Sequence, residues 1–214
     1  MRINPKSLRL YAVTDRAWTS GTDGLLKQVE AAIRGGAGFV QLREKTLPEA
    51  EFLEEARRVV ALCKKCGVLC VINDNVEVAI QAGADGVHVG QEDLEAGRAR
   101  ARLGPDKLIG VSAHTVEEAL RAQAAGADYL GTGAAFATGT KQDAGTISKE
   151  TIREICRAVS IPVVAIGGIT KENILELDGL GLEGAAVVSA LFAQADVERA
   201  ARELLPLCEK LAEN

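Results

Sequence analysis

Asp74, in the run IND, and Asp93, in GQED, each stand just past a short apolar stretch. Two carboxylates whose remaining positions fall to water and a substrate phosphate are a common way to hold Mg2+, a hard cation that prefers oxygen. If the two stretches are neighbouring strands, about 5 Å apart, both carboxylates can face one point. Either aspartate alone reads equally well as a helix cap; the coincidence on adjacent strands points to metal. A second set lies in QLREK, where alternation along an extended strand puts Gln41, Arg43 and Lys45 on one side. An amide, a guanidinium and an ammonium grouped there match a multiply charged phosphate. The competing reading is ion pairing to Glu44, Glu49 or Asp15.

A third set is Gly167 and Gly168 in AIGGI with Val188 and Ser189 in AVVSA. Glycines let backbone N–H groups approach a phosphate closely, and the Val188 N–H and Ser189 add donors. Simple turn formation would account for the glycines but not for the agreement of two separate segments. The stretch GAAFATGTKQDAGTIS, residues 133–148, is the longest without a regular pattern. Loops of that length inside a compact domain are usually lids or binding loops. Thr138, Gly139, Thr140 and Lys141 within it set a glycine and two hydroxyls beside a cation, which suits gripping an anion. His88 lies inside an apolar run and reads as a satisfied interior residue. His114 reads as a neighbour of a helix cap, and no Ser-His-Asp arrangement is legible.

These groups need elements to hold them. Eight short β-branched runs end at polar residues or glycine, the first at LYAVTD and the last at GAAVVSA. Between them the sequence predicts helices over 22–34, 48–65, 75–81, 94–103, 149–159 and 196–211, with one capped by Thr115 and Glu118 and one by Thr170. Continuous Val/Ile/Leu runs are what strands buried on both faces look like. Eight alternating units, with no GxGxxG after the first strand, predict a single-domain (β/α)8 TIM barrel over residues 1–214 rather than an open doubly wound sheet. All strand ends then lie on one face.

The composition narrows the function further. Aromatics are only 3% of the 214 residues, which predicts an aliphatic core. A formal net charge of -5 argues against a general nucleic-acid or membrane-surface binder, which needs clustered positive charge. No signal peptide and no spanning stretch are visible, so a cytoplasmic location is expected. Cys63 and Cys66 form a CxxC within a helical pattern, but no second pair follows to complete a zinc site. The residues alone thus describe a small barrel enzyme with two anion sites and a metal, joining two phosphorylated substrates with loss of diphosphate.

The motifs LYAVTD, VQLREK, INDN, DGVHVGQED, GVSAHT, DYLGTGAAFATGTKQDA, PVVAIGGI and AVVSA occur in this order along the chain. In them the sequence resembles the thiamine-phosphate synthase family over essentially its whole length. The resemblance implies coupling of hydroxymethylpyrimidine diphosphate to a thiazole phosphate, giving thiamine phosphate and diphosphate, with CO2 lost from a carboxylated thiazole. It implies that Gln41, Leu42, Arg43, Glu44, Lys45 and Asn73 bind the pyrimidine diphosphate. Asp74 and Asp93 would hold one Mg2+ per subunit. Ser112 and Lys141 would contact the diphosphate, with Arg43, Lys45, Ser112 and Lys141 carrying catalysis. Thr138, Gly139, Thr140, Gly168, Val188 and Ser189 would bind the thiazole phosphate.

The implied mechanism is dissociative and needs no protein nucleophile. Implied partners are small-molecule substrates, with the oligomeric state open. The chain carries alanine at Ala135 and Ala137 where the family often has proline. Two rivals remain at this point: a related thiazole tautomerase, which need not keep both aspartates and the lysine loop, and a non-catalytic phosphate-binding barrel.

Overall fold

The computed structural model describes residues 3–90, 95–137 and 145–213. Eight strands form a closed parallel barrel in sequence order: β1 (Leu10–Val13), β2 (Phe39–Leu42), β3 (Leu69–Asn73), β4 (Gly86–Val89), β5 (Leu108–Ala113), β6 (Tyr129–Thr132), β7 (Val163–Ile166) and β8 (Gly184–Val187). The register closes where Leu10 meets Ala185 and Ala12 meets Val187. The eight-unit reading of the sequence is therefore the observed architecture. Among the described residues no helix is long and apolar enough to cross a membrane.

The helices surround the barrel as α1 (Gly21–Arg34), α2 (Glu49–Cys66), α3 (Val76–Ala82), α4 (Glu95–Leu103), α5 (Val116–Ala124), α6 (Lys149–Ala158), α7 (Ser189–Phe192) and α8 (Val197–Lys210). Local chemistry sets their ends. Asn75, Thr115, Ser148 and Asp196 each accept a backbone N–H three residues on, at 2.9–3.2 Å, and each such cap is worth about 1 kcal/mol. The expected Thr115–Glu118 box forms with one variation. The Glu118 carboxylate reaches back to the His114 N–H, at 2.6 Å. Gly67 and Gly83 close α2 and α3 in the left-handed conformation that a side chain disfavours.

Strand alternation divides the apolar residues into two layers. Leu10, Val40, Leu42, Ile72 and Ile109 face outward and pack against the helices. Leu8, Tyr11, Phe39, Val71, Leu108 and Tyr129 fill the barrel interior. The outer layer is mostly aliphatic, with Phe52 and Phe192 its buried rings, but the interior is richer in aromatics. It gathers Tyr11, Phe39 and Tyr129 into edge-to-face contact, with centroids 4.6–5.9 Å apart. A low aromatic count hid this because three of the few rings meet in one place.

Other departures are local. The helix expected after Thr170 is a single 3-10 turn, Ile174–Leu177. Gly179 and Gly181 follow it with positive φ, at 72° and 88°, and turn the chain at once toward β8. The four residues of α7 were not read from the sequence, because one turn carries no periodic signal. Pro48 caps α2 rather than opening its first turn.

Gly86 opens β4 where the strand lies hard against β5. A Cβ there would overlap the Leu108 carbonyl oxygen, which belongs to backbone and cannot swing away. Gly86→Ala should therefore cost more than about 2 kcal/mol. Urea denaturation measures this, and a loss under about 0.5 kcal/mol would contradict the tight β4–β5 approach.

Candidate active site

The polar strand ends meet in one cavity at the C-terminal mouth. Its lining includes Gln41 of β2 and Arg43 just after it, Asn73 of β3, Ser112 of β5, Gly167 and Gly168 after β7, and Val188 and Ser189 after β8. A second, shallower depression beside it is lined by Lys45, Asp74 and Arg98, and Asn73 borders both. Asp93, Thr138, Gly139, Thr140 and Lys141 lie outside the described residues.

The QLREK segment does not keep one face. β2 ends at Leu42, so the alternation that would align Gln41, Arg43 and Lys45 stops there. Gln41 and Arg43 reach the central cavity, and Lys45 reaches the depression. The Leu42 side chain is fully buried among the outward-facing core residues, so only its backbone is left to the cavity side. Glu44 is turned back on its own loop. Its Oε1 accepts the N–H groups of Lys45, Thr46 and Leu47 and the Thr46 hydroxyl, at 2.7–3.2 Å, while Oε2 accepts from Arg16. Glu44 therefore shapes the loop that carries Lys45 rather than holding substrate through its carboxylate.

The end of β1, which showed no role in the sequence, is the support for this loop. Asp15 accepts from the Arg43 guanidinium at 2.8 Å, and Thr14 Oγ1 accepts the Arg43 N–H at 2.9 Å. The salt bridge foreseen as the alternative for Arg43 thus exists, yet Arg43 still lines the cavity. One carboxylate fixes the guanidinium and leaves donors of its fork for a ligand. Arg16 bridges Glu44 to the buried Glu55, with Glu55 also accepting from Thr22 at 2.7 Å. Arg16 was missed because its partners Glu44 and Glu55 lie 28 and 39 residues away, beyond any local pattern.

Asp74 holds a backbone conformation rare for a residue with a side chain, at φ 61°. Such geometry costs on the order of 1 kcal/mol and tends to persist where a site needs it. Its N–H donates to the His88 carbonyl at 2.8 Å, and its carboxylate accepts from the Asn73 amide at 2.6 Å while staying exposed. An exposed, oriented carboxylate is a suitable hard-cation ligand. It does not cap α3; Asn75 does.

At the other side of the mouth Gly167 and Gly168 both have positive φ, 99° and 62°. A Cβ on Gly167 would stand 2.6 Å from that of Ala134, and one on Gly168 would stand 2.8 Å from the Phe136 carbonyl. The glycines thus admit the loop after β6, whose Ala135 and Phe136 N–H groups donate to Ile166 and Gly167 at 2.9 and 3.0 Å. Counted from Gly133 and Phe136, the family's G-P-x-F pattern sets its first proline opposite Ala134, not Ala135. A proline at 135 would lose the bond to Ile166. After β8, α7 begins at Ser189, so its first N–H groups lack intrahelical acceptors at the cavity edge.

The cysteines take no part. Cys63 and Cys70 are buried and Cys66 is exposed, all as free thiols. No group of three metal-binding side chains occurs among the described residues.

A sequence model of the thiamine monophosphate synthase family matches residues 10–191. The chain belongs to that family. Its activity is accordingly that of a thiamine-phosphate synthase, a transferase of thiamine biosynthesis. It is 50% identical to the thiamine-phosphate synthase of Ruminiclostridium cellulolyticum, over 92% of this chain and 94% of that one. With the thiamine-phosphate synthase of Methanobrevibacter smithii the identity is 42%, over 95% and 96%. The solved structure of thiamine phosphate pyrophosphorylase from Pyrococcus furiosus superposes with a TM-score of 0.88 at 39% identity, over 97% and 98%.

The Glu44 carboxyl makes a stability prediction. Burial is the largest single effect and opposes its ionisation. The Thr46 N–H, the Arg16 guanidinium, the Thr46 hydroxyl and the Leu47 N–H together outweigh it and hold the group down at about 2, against an ordinary 4.5. A depressed folded value means stability that is present above pH 4.5 and lost as pH falls through about 2. Glu44→Gln should cost up to about 3 kcal/mol near neutrality. Urea unfolding across that window should show the difference from the parent protein shrinking with acid; a constant difference would refute the charge-based account.

Proposed function

We propose that the protein couples hydroxymethylpyrimidine diphosphate to a thiazole phosphate, releasing diphosphate and, from a carboxylated thiazole, CO2. The observation that supports this most is one cavity with two different anion-suited arcs. Arg43 and Ser112 line one, and the Gly167–Gly168 turn with Val188 and Ser189 lines the other. Two charged ends can then be held with their reacting centres between them, which is the larger part of what catalysis of a dissociative coupling requires.

The C–O bond to diphosphate breaks first, and its electron pair leaves with the diphosphate. The aminopyrimidine stabilises the resulting cation at its exocyclic methylene, and the thiazole nitrogen then bonds to that carbon. Arg43, fixed by Asp15, and Lys45 and Lys141 balance the charge of the leaving group, and the Ser112 hydroxyl donates to it. Gln41 and Asn73 orient the pyrimidine. Asp74 and Asp93 would hold Mg2+, whose contribution when bound is to neutralise diphosphate oxygens. Thr138, Gly139, Thr140, Gly168, Val188 and Ser189 hold the thiazole phosphate. We read residues 1–214 as a single domain acting on these small molecules.

Lys141→Ala and Asp93→Ala should each lower turnover by at least about a hundredfold without loss of the folded circular dichroism spectrum. The assay is incubation with both substrates and Mg2+ followed by detection of thiamine phosphate. Near-normal turnover in either variant would contradict the assigned roles, and thiazole tautomerisation without coupling by the parent protein would favour the isomerase.

A further inference from the structure

A continuous hydrogen-bond chain crosses the interior of the barrel just below the cavity. Gln41 Nε2 donates to Tyr11 Oη at 2.6 Å. Tyr11 Oη meets Tyr129 Oη at 2.8 Å, Tyr129 Oη meets His88 Nδ1 at 3.0 Å, and His88 Nε2 meets Ser112 Oγ at 3.1 Å. Its two ends, Gln41 and Ser112, line the cavity together with an edge of His88, while Tyr11 and Tyr129 are fully buried.

The direction of proton donation along this chain follows from its first link. A hydroxyl has one proton to give. Tyr11 receives from Gln41, and its one other partner among the described residues is Tyr129, so its proton goes there. Tyr129 must then give its own proton to His88 Nδ1. That leaves His88 carrying its proton on Nε2, and donating it to Ser112. In the opposite order, or with a doubly protonated His88, Tyr11 would receive from both sides and its own buried proton would have no acceptor. Leaving such a group unpaired is the costly case. Burial also pushes the Tyr11 and Tyr129 hydroxyls well above their ordinary range, so both stay protonated.

The barrel makes room for this chain at a cost in side chains. A Cβ on Gly110 would overlap the Tyr129 ring and stand 2.5 Å from His88 Nδ1. On Gly131 it would stand 3.3 Å from His88 Cε1. Both strand glycines are therefore explained by the space that His88 and Tyr129 need to meet.

We propose that Gln41, Tyr11, Tyr129 and His88 form one directed chain that turns the Ser112 hydroxyl proton toward the cavity, as a donor to an anionic substrate oxygen. His88 and Tyr129 are then positioning residues, acting through Ser112. The kinetic consequence rests on Ser112 touching the diphosphate, as in the proposed function; the protonation state of His88 does not.

The test has two arms. The chain contains two histidines, His88 and His114, so spectra of protein labelled with 15N-histidine can be assigned with His114→Gln. In the unliganded parent protein His88 should be neutral with its proton on Nε2. In Tyr129→Phe, which removes the donor to Nδ1, the proton should move to Nδ1 or divide between the nitrogens. A parent His88 protonated on Nδ1 or on both nitrogens would overturn the proposal. In the second arm, Ser112→Ala and Tyr129→Phe should each raise KM for the pyrimidine diphosphate about tenfold. The double variant should be no worse than Ser112→Ala alone, because both remove one contact. Multiplying effects would mean a separate structural role for Tyr129 and would overturn the coupling. Absence of any coupling activity in the parent protein would instead count against the synthase reading, with the spectroscopic arm still deciding the chain.

Discussion

Pairing of Leu10 with Ala185 and of Ala12 with Val187 joins the first strand to the last and closes the ladder. A closed parallel ladder has no edge, and every strand must run the same way. All eight polar strand ends are thereby delivered to one rim, and side chains that alternate along each strand are sorted into an inside and an outside. The two apolar layers, the cavity and the depression beside it all depend on that closure. So does the division of labour around the rim, where β2, β3 and β5 lead to the cationic, amide and hydroxyl groups and β7 and β8 lead to backbone donors.

The inside of a small barrel is filled by side chains, and here the filling is partly polar. Tyr11, Tyr129 and His88 are buried yet fully engaged with one another. Buried polar networks of this kind are stabilising only when every member is satisfied. The aromatic bodies pack with Phe39 while the hydroxyls point at one another. One layer thus does two tasks: it plugs the barrel and supports the floor of the site.

Around the rim, the ligand-facing groups are held by hydrogen bonds and ion pairs from neighbouring side chains. Asp15 fixes Arg43, and Asn73 contacts the Asp74 carboxylate. Arg16, shared between Glu44 and Glu55, ties the loop carrying Lys45 to α2. A guanidinium or carboxylate restrained in this way loses less freedom when a ligand arrives. Asp74 adds a left-handed backbone, which needs such support to persist.

The chain's local pattern was enough to read eight strand–helix units, the caps at Thr115 and Asp196, and the rim positions of Arg43, Asp74, Gly168 and Ser189. Each of these is announced by neighbours within a few residues: an apolar run, a capping side chain or a glycine pair. Asn73 and Ser112 were implied only by the family resemblance. What only the tertiary structure decided are the matters of parity and of distant pairing. Leu42 faces out by alternation alone, but Glu44 folds back and Lys45 leaves the face of Gln41 because β2 stops where it meets the rim. The Asp15–Arg43 pair joins residues 28 apart, and the Tyr11–Tyr129 contact joins residues 118 apart. No periodicity in the sequence encodes such contacts. They arise from the register of closure, which exists only once all eight strands are in place.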